Sequence, residues 1–407
     1  MGLRNMIRKA VVAVLGNAPA NLVLTPGQAV WALNDYESYI REGYAGNPYV
    51  HRAVKLYSES ASGIPTHAYT IKNGERVLAP ENHPVSKLVQ RANPMDPFFS
   101  LVESAAGSYL LSSVVYAIAV ATADGRPREL YWVRPDKVNP ISGPTLGSVA
   151  GYEISTREGK RVYPPESVFC LRGWDALQNK NPASSIKAAE RSIDTNNSAR
   201  IHNKAVFDNG GFPGVIVNTG EQYNATREKE YTKSWKKRHS GPTQSGRALF
   251  GWGKWKIEKF GLSPEELQVD KSLIRTAIEI CVAAGIPPEL VGIQGQKTYS
   301  NYKEARKALY VEGVIPFLIR FYQALTIWLN KFYPEIVVGF DRNEIEALQE
   351  DRDALWKRVA ECEVLSIDQK RALLGYDPIG PAKGGDTILV PAGKMPLEDI
   401  LLQAKLP

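Results

Sequence analysis

Apolar residues at Val50, Ala53, Val54 and Tyr57 recur at the three- and four-residue spacing of one helix face, and Gly63 and Pro65 end the pattern. Alternation then takes over. His67, Tyr69 and Ile71 read as a strand, Asn73-Gly74 predicts a two-residue hairpin turn, and Arg76–Leu78 forms the return strand. A second helix is predicted over Phe98–Leu111, with Phe99, Val102, Ala106 and Tyr109 on one side. Alternating Val114, Tyr116, Ile118 and Val120 lead through Asp124-Gly125 to a strand at Leu130–Val133. Further strands are predicted at Tyr152–Thr156, Arg161–Tyr163 and Val168–Leu171, with Gly159 at a turn. Residues 45–175 therefore read as one α+β domain.

The pattern changes after Asn181-Pro182. Ile186–Phe207 keeps a helical period but is rich in Ser, Asn and Asp. Such a helix either packs beside copies of itself around solvent or lies on the surface. Gly210-Gly211-Phe212-Pro213-Gly214 breaks it, and Val215–Val217 restart as a strand. Lys254, Lys256 and Glu258 share one face of a later strand, with Trp255 and Ile257 on the other. Burial of one strand face accounts for that alternation; a stacking platform for single-stranded nucleic acid is the alternative. A helix follows from Pro264 to Ala284, capped by Ser263 and Glu266 and ended by Gly285 and Pro287, with Leu267, Ile274, Ile278 and Cys281 in a stripe. The polar loop Gln294-Gly295-Gln296-Lys297-Thr298 separates it from a helix over Ser300–Phe332, in which Pro316, weakened further by Gly313, predicts a kink. The second half of that helix, with Phe317, Leu318, Phe321, Leu325 and Leu329, reads as core. Beyond it come a strand at Ile336–Phe340, an acidic helical segment over Arg342–Glu361, a capping box at Ser366 and Gln369, a stop at Gly375 and an extended stretch over 385–396.

Composition narrows the class. The chain has 407 residues, 43% of them hydrophobic and 23% charged, which suits a globular protein of several packing units. The net charge of +7 conceals an asymmetry: residues 331–407 hold 10 Lys/Arg against 14 Asp/Glu, so the body is basic and the tail acidic. Within the body, residues 221–260 carry 10 Lys/Arg against 4 acids. Uninterrupted apolar runs such as Val114–Ala121 fall far short of the ~20 residues of a membrane span, so no membrane association is expected. Arg4, Arg8 and Lys9 before Ala10–Leu15 read as a surface arm rather than a signal peptide.

The catalytic inventory is empty. Gly292 to Thr298 has the wrong glycine spacing for a phosphate loop, the five histidines form no metal-binding pair, and there is no G-x-S-x-G elbow. Cys170, Cys281 and Cys362 show no C-x-x-C spacing and read as reduced core thiols. No catalytic residue, metal or cofactor is expected.

Several segments, taken in order over residues 40–395, carry a resemblance. They are Asn47-Pro48-Tyr49-Val50-His51-Arg52-Ala53-Val54 with Gly63-Ile64-Pro65; Asn93-Pro94; Leu130 to Val138; Ala188-Ala189 with Ser192-Ile193; Ala283 to Gly292 followed by Thr298 to Ala305; and Gly384-Gly385-Asp386 with Leu389-Val390-Pro391. In this order the chain resembles the portal proteins, or head-tail connectors, of long-tailed double-stranded DNA phages and related gene-transfer particles. It departs at Ser113-Val114-Val115-Tyr116, where many relatives have a glycine-asparagine pair, which puts a local turn in question.

The resemblance implies an α+β portal architecture of wing, stem helices, α/β clip and helical crown, assembled as a ring, typically a dodecamer. Its parts would be an N-terminal arm (1–44), wing (45–181), first stem helix (182–207), clip (208–262), second stem helix (263–285), tunnel loop (286–299), the long kinked wing helix and strand (300–340), and the crown with the C-terminal segment (341–407). It implies double-stranded DNA in the channel, with Gln294, Gln296 and Lys297 facing it from the tunnel loop. Lys233, Lys236, Lys237, Arg238, Lys254 and Lys256 would form the clip surface that meets partners. Those partners would be the terminase large subunit during packaging and a head-tail adaptor afterwards, with the major capsid protein around the ring. The implied location is the capsid portal vertex of a virion assembled in the host cytoplasm. The competing classes are a basic metal-dependent nuclease and a peptide-binding adaptor.

Overall fold

The computed structural model describes residues 36–72, 74–145, 147–175, 182, 184–208, 215–218, 226, 229–230, 233, 256–259, 268–293 and 299–388. They belong to two compact units, one ending at Gly339 and one beginning at Phe340. In the first unit, the Asn47 side chain accepts from the Tyr49 and Val50 amides, and Pro48 follows at a position where its missing N–H costs nothing. That cap starts α1 (Pro48–Ser62), which buries Val50, Ala53, Val54 and Tyr57, the face its periodicity predicts. The hairpin of β1 (His67–Lys72) and β2 (Glu75–Leu78) pairs Lys72 with Glu75 across a two-residue turn, and Gly74 takes φ +83°, a conformation open to glycine. After α2 (Pro84–Gln90), α3 (Phe98–Ser112) buries Phe98, Leu101 and Val102. Phe99, expected on the inner face, is 57% exposed, because the register of α3 turns Phe98 inward.

Two three-stranded antiparallel sheets follow. One orders β4 (Pro127–Val133), β3 (Val114–Ala121) and β8 (Val168–Arg172); the other orders β5 (Val138–Ser142), β6 (Val149–Thr156) and β7 (Gly159–Tyr163). They share a core of Tyr116, Tyr152, Ile154 and Val168. β5 carries no alternation signal, and its Pro140 is tolerated because the strand lies at the sheet edge.

The long helix predicted over Ser300–Phe332 is built from α8 (Tyr299–Ala308), a π-helical turn over Leu309–Val314 and α9 (Ile315–Leu329). Pro316 has no N–H for the carbonyl four residues back, and the wider π turn placed immediately before it accommodates the proline ring. Phe317, Leu318, Phe321, Leu325 and Leu329 are buried, as their spacing requires. Phe169 of β8 meets Phe321 edge-on at 5.6 Å, Tyr109 of α3 lies 5.2 Å from Phe317, and Tyr57 of α1 lies 6.0 Å from it. Although Asn301–Leu329 is long and apolar enough to cross a membrane by length and composition, these residues are spent on the core of the unit. β11 (Ile336–Gly339) closes the unit by pairing with β1, and the Thr326 hydroxyl of α9 accepts from the Val338 amide at 3.0 Å.

Between the sheets and this long helix lie α4 (Ser185–Ala188), α5 (Glu190–Asp208), the antiparallel pair β9 (Val215–Asn218) and β10 (Lys256–Lys259), α6 (Val269–Ala284) and α7 (Pro288–Val291). α6 begins at Val269, not Pro264: Gln268 adopts φ +49°, ψ +40°, a left-handed conformation that no right-handed helix can run through. The Ser263 capping signature lies outside the described residues.

The second unit holds α10 (Glu346–Glu361) and α11 (Ile367–Leu373), the latter with both arms of the Ser366/Gln369 capping box formed. The Asp368 carboxylate accepts from the Ile379 and Gly380 amides at 2.7 and 3.0 Å, and the Asp368 amide donates to the Gly385 carbonyl at 2.8 Å. A methyl group at Gly385 would overlap that carboxylate, so glycine is required there. Of the stretch expected to be extended, residues 385–388 form no strand, and the rest lies outside the described residues.

Ser113 resolves the departure noted at this turn. It ends α3 with φ +56°, donates its amide to the Tyr109 carbonyl at 2.8 Å and accepts from the Gly173 amide at 2.7 Å. A left-handed residue other than glycine costs ~1–2 kcal/mol, part of which glycine returns through its greater freedom when unfolded. Ser113→Gly is predicted to stabilise the chain by about 0.5–1 kcal/mol, read as a higher urea midpoint; an unchanged or lower midpoint would show that the turn is unstrained.

Candidate functional site

The region between the two sheets and the long helix is organised by amides. Asn47 spends its carbonyl oxygen on capping α1 and donates its NH2 group to the Asn196 and Asn197 side-chain oxygens at 3.1 and 2.9 Å. Asn196 is fully buried. It donates in turn to the Leu273 carbonyl at 3.2 Å and the Thr276 hydroxyl at 2.8 Å. Thr276 passes its proton back to the Ser272 carbonyl at 2.8 Å, and Asn197 donates to the Glu42 carbonyl at 2.9 Å. Every donor of Asn47 and Asn196 has a partner, the condition under which a buried polar network stabilises rather than costs. Nearer the surface, the Ser192 hydroxyl donates to Glu279 at 2.6 Å, and Arg275 pairs with the same carboxylate at 3.2 Å.

The face of α5 that carries Ser192 and Asn196 therefore lies against α1 and α6, while Arg191, Thr195, Ser198, Arg200 and Lys204 stay exposed. The sequence reading of that helix did not anticipate the buried polar contact. Asn196-Asn197 in mid-helix was the available signal, because an amide in a helix interior needs a partner off the helix.

α6 ends at Gly285, φ +68°, with the Ile286 amide donating to the Cys281 carbonyl at 2.9 Å, a Schellman closure. Gly313 of the π turn packs against this end: a β-carbon there would stand 3.3 Å from the Tyr57 ring and 3.6 Å from the Gly285 carbonyl. The Tyr57 hydroxyl donates to the Gly313 carbonyl at 3.2 Å. Burial pushes the Tyr57 hydroxyl above its ordinary pKa, so it remains a donor. Ala277, Cys281 and Ile293 form a small apolar cluster, and burial pushes the Cys281 thiol up to about 12. Ile293 thus anchors one end of the polar loop, and α8 resumes at Tyr299.

Gln294, Gln296 and Lys297 lie between those anchors and outside the described residues. So do Lys236, Lys237, Arg238 and Lys254. Lys233 is described and exposed. Lys256 opens β10 opposite Asn218 of β9, which brings together two strands 38 positions apart in the expected clip. Among the described residues no group of three His, Cys, Asp or Glu could hold a metal ion.

Comparison with known proteins gives this geometry its context. The family described as phage portal protein matches residues 48–375. The chain belongs to that family. A chain from the neck of an empty gene transfer agent particle, computed with C6 symmetry, is 31% identical and superposes with a TM-score of 0.67 over 86% of this chain and 96% of that one. The corresponding chain from the neck of the native particle, computed with C12 symmetry, is 28% identical with a TM-score of 0.65 over 91% and 99%. An uncharacterised protein of Rickettsia bellii is 29% identical over 85% of this chain and 90% of its own length.

As a portal protein the chain is a structural component of the capsid vertex, with the mixed α/β portal fold, and not an enzyme. It works as a homo-oligomeric ring. The nuclease alternative is set aside on these matches. The amide network joins α5 and α6 to α1 through side-chain hydrogen bonds.

Asn196→Ala is predicted to lower the stability of the disassembled chain by about 2–3 kcal/mol, since it strands the Thr276 and Asn47 groups in a dry site. Ser192→Ala, at the exposed edge of the same contact, should cost less than about 0.5 kcal/mol. Denaturant titration of the two variants checks both; equal small effects would show that the network is not buried in solution.

Proposed function

We propose that twelve copies of this chain form the ring through which double-stranded DNA enters and leaves a capsid, with the loop after α7 at the narrowest point. The continuous correspondence with a gene transfer agent neck chain, nearly end to end, carries this reading. In it the sheets and long helix are the wing, α5 and α6 the stem, residues 208–262 the clip and the unit after Gly339 the crown. The clip cations Lys233, Lys236, Lys237, Arg238, Lys254 and Lys256 meet first the terminase large subunit, then a head-tail adaptor, and the major capsid protein surrounds the wing.

DNA must slide through such a channel, so base-specific grip would obstruct it; exchangeable contacts to phosphate suit translocation. Gln294, Gln296 and Lys297 have that chemistry. Held between Ile293 and Tyr299, their loop is short, and twelve copies of Lys297 make a ring of positive charge whose field the surrounding low-dielectric walls focus.

Two measurements test the proposal. Electron microscopy of the purified protein should show annular particles of twelve-fold symmetry; a monomer with divalent-metal-dependent nuclease activity would overturn it. Lys297→Glu should leave ring assembly intact and slow packaging several-fold at low salt, with partial recovery as the Debye length shortens toward about 8 Å near physiological ionic strength. Packaging at the parental rate in low salt would remove the loop from the DNA path.

A further inference from the structure

The pair α5–α6 has a polar contact inside and carries large apolar side chains among the charged residues outside. At about 100° per residue, the side of α6 that meets α5 carries Ser272, Thr276 and Glu279, and the side that meets the core carries Ala277, Ile280 and Ala284. Away from both lie Ile274, Ile278 and Val282, spaced four apart and exposed by 45%, 38% and 68%. On α5, the side opposite Ser192 and Asn196 carries Ser198, Ile201 and Ala205, all exposed. Each chain therefore presents a stripe of large apolar side chains on one edge of the pair and a shallow edge of small residues around one isoleucine on the other.

We infer that these two edges meet between neighbouring copies: the Ile274–Ile278–Val282 stripe of one chain packs on Ser198, Ile201 and Ala205 of α5 in the next. This rests on the ring reading above and assigns its stem contact. DNA is not the occupant, because an aqueous channel passing a polyanion has no use for three bare aliphatic chains on one helix turn after another. A second copy is, because closed cyclic symmetry, as in the neck particles that this chain resembles, needs two different complementary patches on every subunit, and the stem pair supplies two on opposite edges. Shape agrees: β-branched knobs on α6 face small residues that let helices approach closely.

The test is charge, bulk and covalent capture. Ile278→Asp and, from the other edge, Ser198→Trp should each shift most of the protein from ring to monomer in sedimentation, with the circular dichroism spectrum of the parent and a cooperative thermal transition. The double variant Ile278→Cys/Ser198→Cys should give, on oxidation, a ladder of covalent oligomers up to the closed ring, absent from the parent and from either single variant. This capture also decides the question if Ile278→Asp folds poorly. A parental ring that Ile278→Asp leaves intact, or dimers from Ile278→Cys alone, would overturn the contact while the ring reading stands. A parent that stays monomeric at all concentrations would overturn both.

Discussion

A buried carboxamide sets the geometry of this portal chain. Asn196 lies on a helix with too little apolar surface to hold itself in place, yet it is fully enclosed, because its carbonyl oxygen accepts from Asn47 and its two N–H groups go to Thr276 and the Leu273 carbonyl. Apolar packing alone would let α5 slide or rotate against its neighbours at small cost. A dry, fully satisfied amide network penalises any register in which a donor loses its partner, so it selects one orientation. The cap of α1, the seating of α5 against α6 and the hydrogen bond to the Glu42 carbonyl all follow from that orientation.

The second fixed point is the junction of Tyr57, Gly285 and Gly313. Here the end of α6, α1 and the π turn of the long helix come together, and a side chain at 313 would press on the Tyr57 ring. Pro316 makes the π turn, and the π turn brings Gly313 to the stem end. The described chain leaves this junction through Ile293, which the apolar cluster with Ala277 and Cys281 holds in place.

Much of this was legible in the sequence, for local reasons. The α1 face, the Asn73-Gly74 turn, the Ser366/Gln369 box, the proline-driven irregularity near Gly313 and the core half of α9 each depend on residues within a turn or two of one another. What could not be read depends on distant partners. The role of Asn196 requires Asn47, 149 positions away; the pairing of β11 with β1 joins chain ends of one unit; and the left-handed Gln268 that delays α6 has no composition signal. The stripe that includes Ile274, Ile278 and Cys281 divides into two exposed isoleucines and one buried thiol, because periodicity marks an apolar face and not what covers it. The family resemblance carried the functional reading where local chemistry was silent, since a channel built for sliding has no catalytic constellation to display.

The central claim is that Asn47 and Asn196 act as one unit that fixes α5 and α6 to α1. A double-mutant cycle between Asn47→Ala and Asn196→Ala, measured by denaturation of the disassembled chain, tests it directly. The account predicts a coupling energy of about 1–2 kcal/mol, within the range for residues sharing a buried network. Additive effects, with coupling near zero, would contradict it and leave the stem held by apolar packing alone.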